Sequence, residues 1–460
     1  MSKCVMKCAN PKKAQAVLAR ALAKIKPTPA ETRRDFQEAQ NLILKLEKAC
    51  PQSVEVRLGG SLAKGTNLSG NNEFDIFLLF PRHYSHHEMT MLGVAYARKA
   101  FAGMRVESRY AEHPYIQVFS GDYHADVVPA YKISDISQKG SSVDRTQLHT
   151  KYVNSKLDAR EKDDVRLLKR FMKNFGIYGA ELRVEGFSGY LCEILIIKYG
   201  SLLPLMEAAC KWEAPALVLE GSEGYQAARK RFDSPLVAID PVDPGRNVAA
   251  VVSQTSLSRF IFECRRFLAN PSPGFFHRDA RIASAGQIRA AIKARGTECL
   301  LLTFPAPNSV PDVIWPQLKK SALALVRHLE SLDFSVFGHY YWSDGATCAI
   351  LLEVDRWELP AVRKAAGPAI RFAKDVDAFV EKHSSALNLH LEHDRIVAVE
   401  KRRVLSCAAA LKSACKNPRL CGVPEGMCAG ISKSSLISGA AIADKKSAWF
   451  LGDYFFAKIA

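Results

Sequence analysis

Nowhere in this 460-residue chain does an uninterrupted apolar window reach about 18 residues, the length that a membrane-crossing helix needs. Met1-Ser2-Lys3-Cys4 also lacks the apolar core of a signal peptide, so a soluble, intracellular, cytoplasmic protein with no membrane partner is expected. Acidic residues are in short supply: 47 Asp and Glu stand against 64 Lys and Arg, a net charge of +17. Such a surplus commonly neutralises phosphate, which agrees with an RNA partner without establishing one. Arg229-Lys230-Arg231 and Lys401-Arg402-Arg403 are local basic clusters, each better explained singly as a solvated face than as a dedicated contact. The paired C-x-x-C knuckles of strong zinc sites are missing too. Of twelve cysteines, Cys192, Cys210, Cys264, Cys299 and Cys348 sit alone in apolar runs, as reduced, packed thiols do. Only Cys4 with Cys8, and Cys407, Cys415, Cys421 and Cys428, are clustered, at spacings that do not predict zinc.

What the chain does have is a glycine-serine turn joined to acids on an apolar strand. Val54-Glu55-Val56-Arg57-Leu58 alternates and runs into Gly59-Gly60-Ser61-Leu62-Ala63-Lys64-Gly65, which reads as a strand feeding a tight turn whose N–H groups can wrap a phosphate. Glu73-Phe74-Asp75-Ile76-Phe77-Leu78-Leu79-Phe80 follows, apolar on both faces except at one end. Positions i and i+2 of a strand share a face roughly 6–7 Å apart. Glu73 and Asp75 can therefore grip one Mg²⁺ or two neighbouring ones, and burying two acids there without a cation would be costly. Asp126, in His124-Ala125-Asp126-Val127-Val128-Pro129, lies on a second short apolar strand that the proline is expected to stop. Two-metal phosphoryl transfer uses a bridging carboxylate pair and one further acid, and Asp126 fits that last role. No Ser-His-Asp arrangement competes with this site.

Gly-Gly-Ser with a Lys three residues on, Glu-x-Asp, then Asp-Val-Val-Pro resembles the polymerase beta-like nucleotidyltransferase superfamily. Residues 70–81 (Gly-Asn-Asn-Glu-Phe-Asp-Ile-Phe-Leu-Leu-Phe-Pro), 110–115, 143–146 (Val-Asp-Arg-Thr), 165–169 (Val-Arg-Leu-Leu-Lys), 176–181, 186–193 (Gly-Phe-Ser-Gly-Tyr-Leu-Cys-Glu) and 240–250 narrow this. They are similar to the class I, archaeal-type CCA-adding enzymes, from about residue 56 to about 276 and more weakly to about 370.

That resemblance implies template-independent addition of C, C and A to the tRNA 3′ end from CTP and ATP by two-metal transfer with Mg²⁺. It implies nucleotide-phosphate contacts by Gly60, Ser61 and Lys64, metal binding by Glu73, Asp75 and Asp126, and a triphosphate cradle completed by His149, Lys169 and Tyr178. It makes Arg246, in Asp-Pro-Val-Asp-Pro-Gly-Arg-Asn, the reader of the base edge. Thr150 departs from the family, which has a second His there. Without the resemblance, Lys169 sits on an amphipathic helix whose basic residues are free to face water. Members commonly form homodimers, which charge alone does not decide. A poly(A) polymerase or oligoadenylate synthetase of the same superfamily, and a non-enzymatic RNA-binding relative, are the alternatives; the intact Glu73, Asp75 and Asp126 speak against the last.

The length allows about three or four domains. The expected class is multidomain α+β: a catalytic head with N-terminal helices over 1–150, a helical neck over 151–270, a body like the RNA-recognition and ferredoxin folds over 271–370, and a helix-rich tail over 371–460 that reaches the outer corner of the tRNA. Residues 11–50 read as helices broken at Pro27-Thr28-Pro29, and 89–103 as a helix between strands. In the neck, 182–209 and 256–268 read as helices with a base-reading loop between them, and Asn270-Pro271-Ser272-Pro273-Gly274 punctuates the chain. The body pattern is helix 284–295, strand 298–304, helix 314–332, strands 334–342 and 346–354, and helix 356–366. Sheet modules of that layout often hold RNA, although the fold is too common for topology alone to say so.

Overall fold

The computed structural model describes residues 7–110, 114–218, 230–277, 283–444 and 447–456. Cys4, Arg229 and the middle of the 110–115 stretch lie outside the described residues. The chain divides into two compact units, Met1–Asp279 and Ala280–Ala460.

The first unit opens with α1 (Pro11–Ile25) and α2 (Pro29–Ala49). Asn10 caps α1, and Thr28 with Glu31 forms a capping box on α2. The head then runs β1 (Glu55–Gly59), α3 (Gly60–Lys64), β2 (Glu73–Phe80), α4 (His86–Ala100), β3 (Arg105–Tyr110), β4 (Pro114–Ser120) and β5 (Tyr123–Tyr131). The strands form one sheet in the order β1-β2-β5-β4-β3, with β2 and β5 parallel and the other pairs antiparallel. Phe74, Ile76, Leu78 and Phe80 face a core shared with α2 and α4, while Phe77, Leu79 and Ala130 pack on the opposite face. The unbroken apolar run of β2 is thus covered on both sides. α1 does not join this core. Its Ala14, Val17, Ala21 and Ile25 pack into the neck, so only α2 of the two N-terminal helices follows the expected grouping with the head.

β5 does not stop at Pro129. His124 donates to Asn72 O and Lys132 to Phe80 O, so even-numbered residues of β5 supply the N–H groups that face β2. Pro129 is odd-numbered and lies past Val127, where the described pairing with β4 ends, so its missing N–H interrupts neither the β2 ladder nor a described β4 pair.

The neck holds α5 (Thr146–Lys156), α6 (Ala159–Asn174), α7 (Gly189–Tyr199), α8 (Leu202–Ala209) and, after three strands, α9 (Gln254–Ala269). Phe171, Phe187, Phe260, Phe267, Phe275 and Phe276 are buried in its core. Two expectations are corrected here. The helix expected over 182–209 begins only at Gly189 and bends by 94° between α7 and α8, where Gly200 takes φ +77°, a backbone open to glycine. The expected base-reading loop is a small sheet of β6 (Ala216–Val218), β7 (Leu236–Asp240) and β8 (Asp243–Asn247). Pro244 and Gly245 read as loop residues, but β8 is an edge strand, where a missing N–H is tolerated.

The second unit contains α10 (Ala285–Arg295), β9 (Glu298–Pro305), α11 (Pro311–Ser331), β10 (Val336–Ser343), β11 (Thr347–Val354), β12 (Val362–Ala369), α12 (Ala373–Lys382), β13 (Asn388–Glu392), β14 (Arg395–Lys401), α13 (Cys407–Lys416), α14 (Glu425–Ser432), β15 (Ser435–Ser438) and α15 (Ala448–Phe456). The body sheet has the order β10-β11-β9-β15, in which the first and third strands of the motif are central, as in ferredoxin-like folds. Its fourth strand comes from 435–438, so the expected split at residue 370 does not follow the sheets. The helix expected over 356–366 is also absent. Pro360 removes an N–H a helix would use, and Val362–Ala366 pair antiparallel with Val397–Lys401. β12, β14 and β13 form a separate three-stranded sheet inserted between β11 and α13.

Both faces of the body sheet are covered. Leu300, Leu302, Phe304, Cys348, Ile350 and Leu352 pack with α11, α13 and α14, while Cys299, Leu301, Ala349, Leu351 and Trp342 pack with α10 and α15. Trp342 stacks on Phe450 with ring centres 4.8 Å apart. An RNA-recognition sheet stacks bases on a bare face. Here that face is occupied by protein.

Candidate active site

β1 ends at Gly59, and Gly60, at φ +64°, turns the chain into α3, so the expected tight turn is a short helix. A side chain at Gly60 would need the left-handed backbone that L-residues disfavour, and its Cβ would lie 1.8 Å from Asp75 Oδ2. That close approach seats the turn on the acids. In the sheet, Gly59 pairs with Asp75 and Asp75 with Asp126. Paired residues project from the same face, so Glu73, Asp75 and Asp126 share the face opposite α2 and α4.

Burial, then the neighbouring Asp126 charge, push the Asp75 carboxyl up to about 6, against the pull of Lys64. Asp126 is likewise raised, by burial before all else, although Gln117 Nε2 donates to it at 2.8 Å. Glu73 is exposed and meets His124 Nε2 at 3.0 Å. Among the described residues no three His, Cys, Asp or Glu side chains stand as a preformed metal cluster. Glu73 is turned to His124 and Asp126 to Gln117. Three mutually repelling carboxylates, of which Asp75 fills the space a Cβ at Gly60 would need, nevertheless fit a hard divalent cation, which takes oxygen ligands.

The lysines assigned to phosphate are held from behind. Glu193, fully buried on α7, accepts from Lys64 Nζ at 2.6 Å and Thr66 Oγ1 at 2.7 Å, with Lys169 Nζ 3.6 Å away. Lys169 Nζ also donates to Thr66 O (3.1 Å) and Oγ1 (3.0 Å). Lys169 is 2 % exposed, so it does not face water as its amphipathic helix alone suggests. Burial lowers its pKa, and Glu193 opposes that. Tyr178 is half-buried, paired with Phe187 and set against Gly189, where a Cβ would lie 3.1 Å from Tyr178 Oη and 3.6 Å from Lys169 Nζ. Burial raises the Tyr178 phenol far above its ordinary value, so it stays a neutral hydroxyl. Ser61 stands in the first turn of α3, its carbonyl accepting from Thr66 N–H at 2.9 Å.

His149 and Arg246 are brought together by an acid the sequence reading did not single out. His149 Nε2 lies 2.9 Å from Asp240 Oδ2, Arg246 Nη1 donates to the same oxygen at 3.0 Å, and Tyr190 Oη donates to Oδ1 at 3.0 Å. The His149 and Tyr190 rings stack at 3.7 Å. Burial would raise the Asp240 carboxyl, but His149 first, then the Val242 N–H and Arg246, hold it down at about 2. Burial chiefly lowers the His149 pKa, favouring its neutral form. A cavity of about 420 Å³ is lined by Asp126 and Phe77 of the head and by Arg145, His149, Ser188, Tyr190 and Arg246. Thr150, where the family has a second His, donates to Thr146 O inside α5 and is absent from this lining.

The structure therefore pairs Asp75 with Asp126, Lys64 with Lys169, and His149 with Arg246, and leaves Glu73 at the outer edge. Three groups were missed: Glu193, Asp240 and Tyr190. Glu193 had a signal, being one carboxylate in the apolar run Tyr190-Leu191-Cys192-Glu193-Ile194-Leu195-Ile196-Ile197, which requires a buried partner. Asp240, after Leu236-Val237-Ala238-Ile239, had the same one. The described cysteines are all free, and Cys192, Cys210, Cys264, Cys299 and Cys348 are buried as expected.

Three family models match in succession: a nucleotidyltransferase domain over residues 41–149, the second domain of tRNA nucleotidyltransferase over 163–277, and the C-terminal domain of CCA-adding enzyme over 295–422. The chain is 36% identical over 403 residues to the CCA-adding enzyme of Methanothermobacter thermautotrophicus, covering 86% of this chain and 87% of that one. It is 37% identical over 371 residues to that of Methanosarcina barkeri, covering 79% and 81%, and 36% identical over 365 residues to that of Pyrobaculum islandicum, covering 78% and 83%. Among solved structures, the Cid1 poly(U) polymerase is similar at a TM-score of 0.47 and 17% identity, over 59% of this chain and 100% of that one.

Proposed function

The chain belongs to the CCA-adding enzyme family, and we propose that its head and neck divide the addition of C, C and A to the tRNA 3′ end as follows. Glu73, Asp75 and Asp126 hold Mg²⁺. Gly60, Ser61, Lys64, His149, Lys169 and Tyr178 form the triphosphate side, and Arg246 reads the base. The single observation that carries this division is that Asp126 lines the same cavity as His149, Tyr190 and Arg246. A nucleotide laid across it has its α-phosphate near the acids and its base near the guanidinium.

The RNA 3′-hydroxyl attacks the α-phosphorus of CTP or ATP in line, and pyrophosphate leaves. Bound Mg²⁺ supplies charge that eases hydroxyl deprotonation and offsets the departing pyrophosphate. This chain's own residues place the reactants: the turn at Gly60 packs its backbone against the Asp75 carboxyl, and Glu193 fixes the Lys64 and Lys169 ammonium groups. Residues 371–460 take the outer corner of the tRNA, and the active form is a homodimer in the cytoplasm. No single helix among the described residues is long and apolar enough to cross a membrane.

The test supplies tRNA lacking CCA with each labelled nucleotide. Two additions from CTP and then one from ATP are expected, abolished by EDTA and restored by Mg²⁺. Long tails from ATP alone would overturn the reading in favour of a poly(A) polymerase. Asp75→Ala is expected to lower incorporation about a thousandfold without lowering the melting temperature. Full activity in that variant would remove the metal assignment.

A further inference from the structure

We infer that Asp240 is the positioning residue for base choice, orienting the Arg246 guanidinium that meets the incoming base. The inference rests on the reading of Arg246 as base reader and adds a residue that never touches the nucleotide. Asp240 ends β7, is fully buried, and accepts from four donors: His149 Nε2 (2.9 Å) and Arg246 Nη1 (3.0 Å) on Oδ2, Tyr190 Oη (3.0 Å) and the Val242 N–H (3.1 Å) on Oδ1. A carboxylate offers about four lone-pair sites, so nothing remains for a ligand. Its influence on a nucleotide passes through its partners.

Arg246 is the partner that reaches the cavity. It stands on β8, across a two-residue turn from Asp240, and its side chain is 33 % exposed while the acid is wholly covered. A guanidinium is a rigid planar fork. Pinned at Nη1, it presents its remaining N–H groups in one plane along the cavity wall. The pin is itself fixed, because Tyr190 stacks on His149 and the two rings hold opposite carboxylate oxygens. Cytosine at N3 and adenine at N1 offer acceptors where uracil and guanine carry N–H. A fixed donor plane therefore favours C and A together and rejects U and G by leaving donor against donor. A guanidinium free to swing would give up that rejection, while Lys64 and Lys169, held by Glu193 and not by Asp240, would keep their places.

The experiment measures kcat/KM for CTP, ATP, UTP and GTP on tRNA lacking CCA, with wild type, Arg246→Ala, Asp240→Asn and Tyr190→Phe. Expected for Asp240→Asn is a fall of about tenfold in the CTP-to-UTP ratio, carried mainly by a higher KM for CTP, with a smaller fall in Tyr190→Phe. A role confined to folding would lower all four nucleotides alike and leave the ratio unchanged. An unchanged ratio in Asp240→Asn with a lowered one in Arg246→Ala would overturn the positioning role. An unchanged ratio in Arg246→Ala would overturn the base-reader assignment and this inference with it. If Asp240→Asn does not fold, Tyr190→Phe decides, since it removes one hydroxyl and keeps the stacked ring; an unchanged ratio there counts against the proposal.

Discussion

At Asp240, one carboxylate gathers charge and hydrogen bonds that have a measurable pH signature. Its pKa is about 2 in the folded chain against an ordinary 3.8, because His149, the Val242 N–H and Arg246 outweigh the cost of burying it. A carboxyl depressed by folding contributes stability that is full above its unfolded pKa and is lost as pH falls through the folded one. The wild-type advantage over Asp240→Asn is therefore expected to be complete above about pH 4 and to shrink by roughly 2 kcal/mol as pH falls towards about 2. Urea unfolding of both proteins across that window checks it. A difference that stays constant with pH would show that Asp240 is not held ionised by its partners.

At the scale of single elements, α3 and α7 carry the expected effects. Gly60→Ala forces an L-residue to φ +64° and places a methyl 1.8 Å from Asp75 Oδ2. A loss of about 1–2 kcal/mol from the backbone is expected, together with loss of nucleotide incorporation as the Asp75 carboxylate is displaced. Incorporation retained at wild-type level would mean that turn and acids do not share their space. Glu193→Ala on α7 leaves Lys64 and Lys169, both buried, without their counter-charge. It should destabilise the chain by about 3–5 kcal/mol, measured by chemical denaturation, with Glu193→Gln costing less because its amide oxygen still accepts a hydrogen bond.

Over the whole molecule, the coverage of the body sheet decides how the second unit meets RNA. Trp342, on the edge strand β10, lies on the face that an RNA-recognition sheet leaves open to bases, but its rings meet Phe450 and, edge-on, Trp449. Trp342→Ala is accordingly expected to cost about 3–5 kcal/mol of stability and to leave tRNA affinity of the folded protein unchanged. Thermal melting and filter binding separate the two. Weakened binding by a variant that melts normally would mean that α15 leaves the sheet when RNA arrives.

The sequence alone determined the elements whose pattern is local: capped α1 and α2, the doubly covered β2, and two acids, Glu73 and Asp75, at strand positions that the pleat sends to one face. It also carried the family motifs, because chemistry on a triphosphate needs particular side chains at short, fixed spacings. Only the tertiary structure decided what depends on partners far away in the chain. Residues 362–366 became a strand because Val397–Lys401 pairs with them, and Pro129 stayed in β5 because it lies past Val127, where the described pairing with β4 ends. Lys169 was drawn inward by Glu193, and His149 reached Arg246 through Asp240, 91 residues away. Periodicity records which side of an element is apolar. Which buried charge meets which is set by packing, since an ion taken out of water is stable only where the fold brings it a partner.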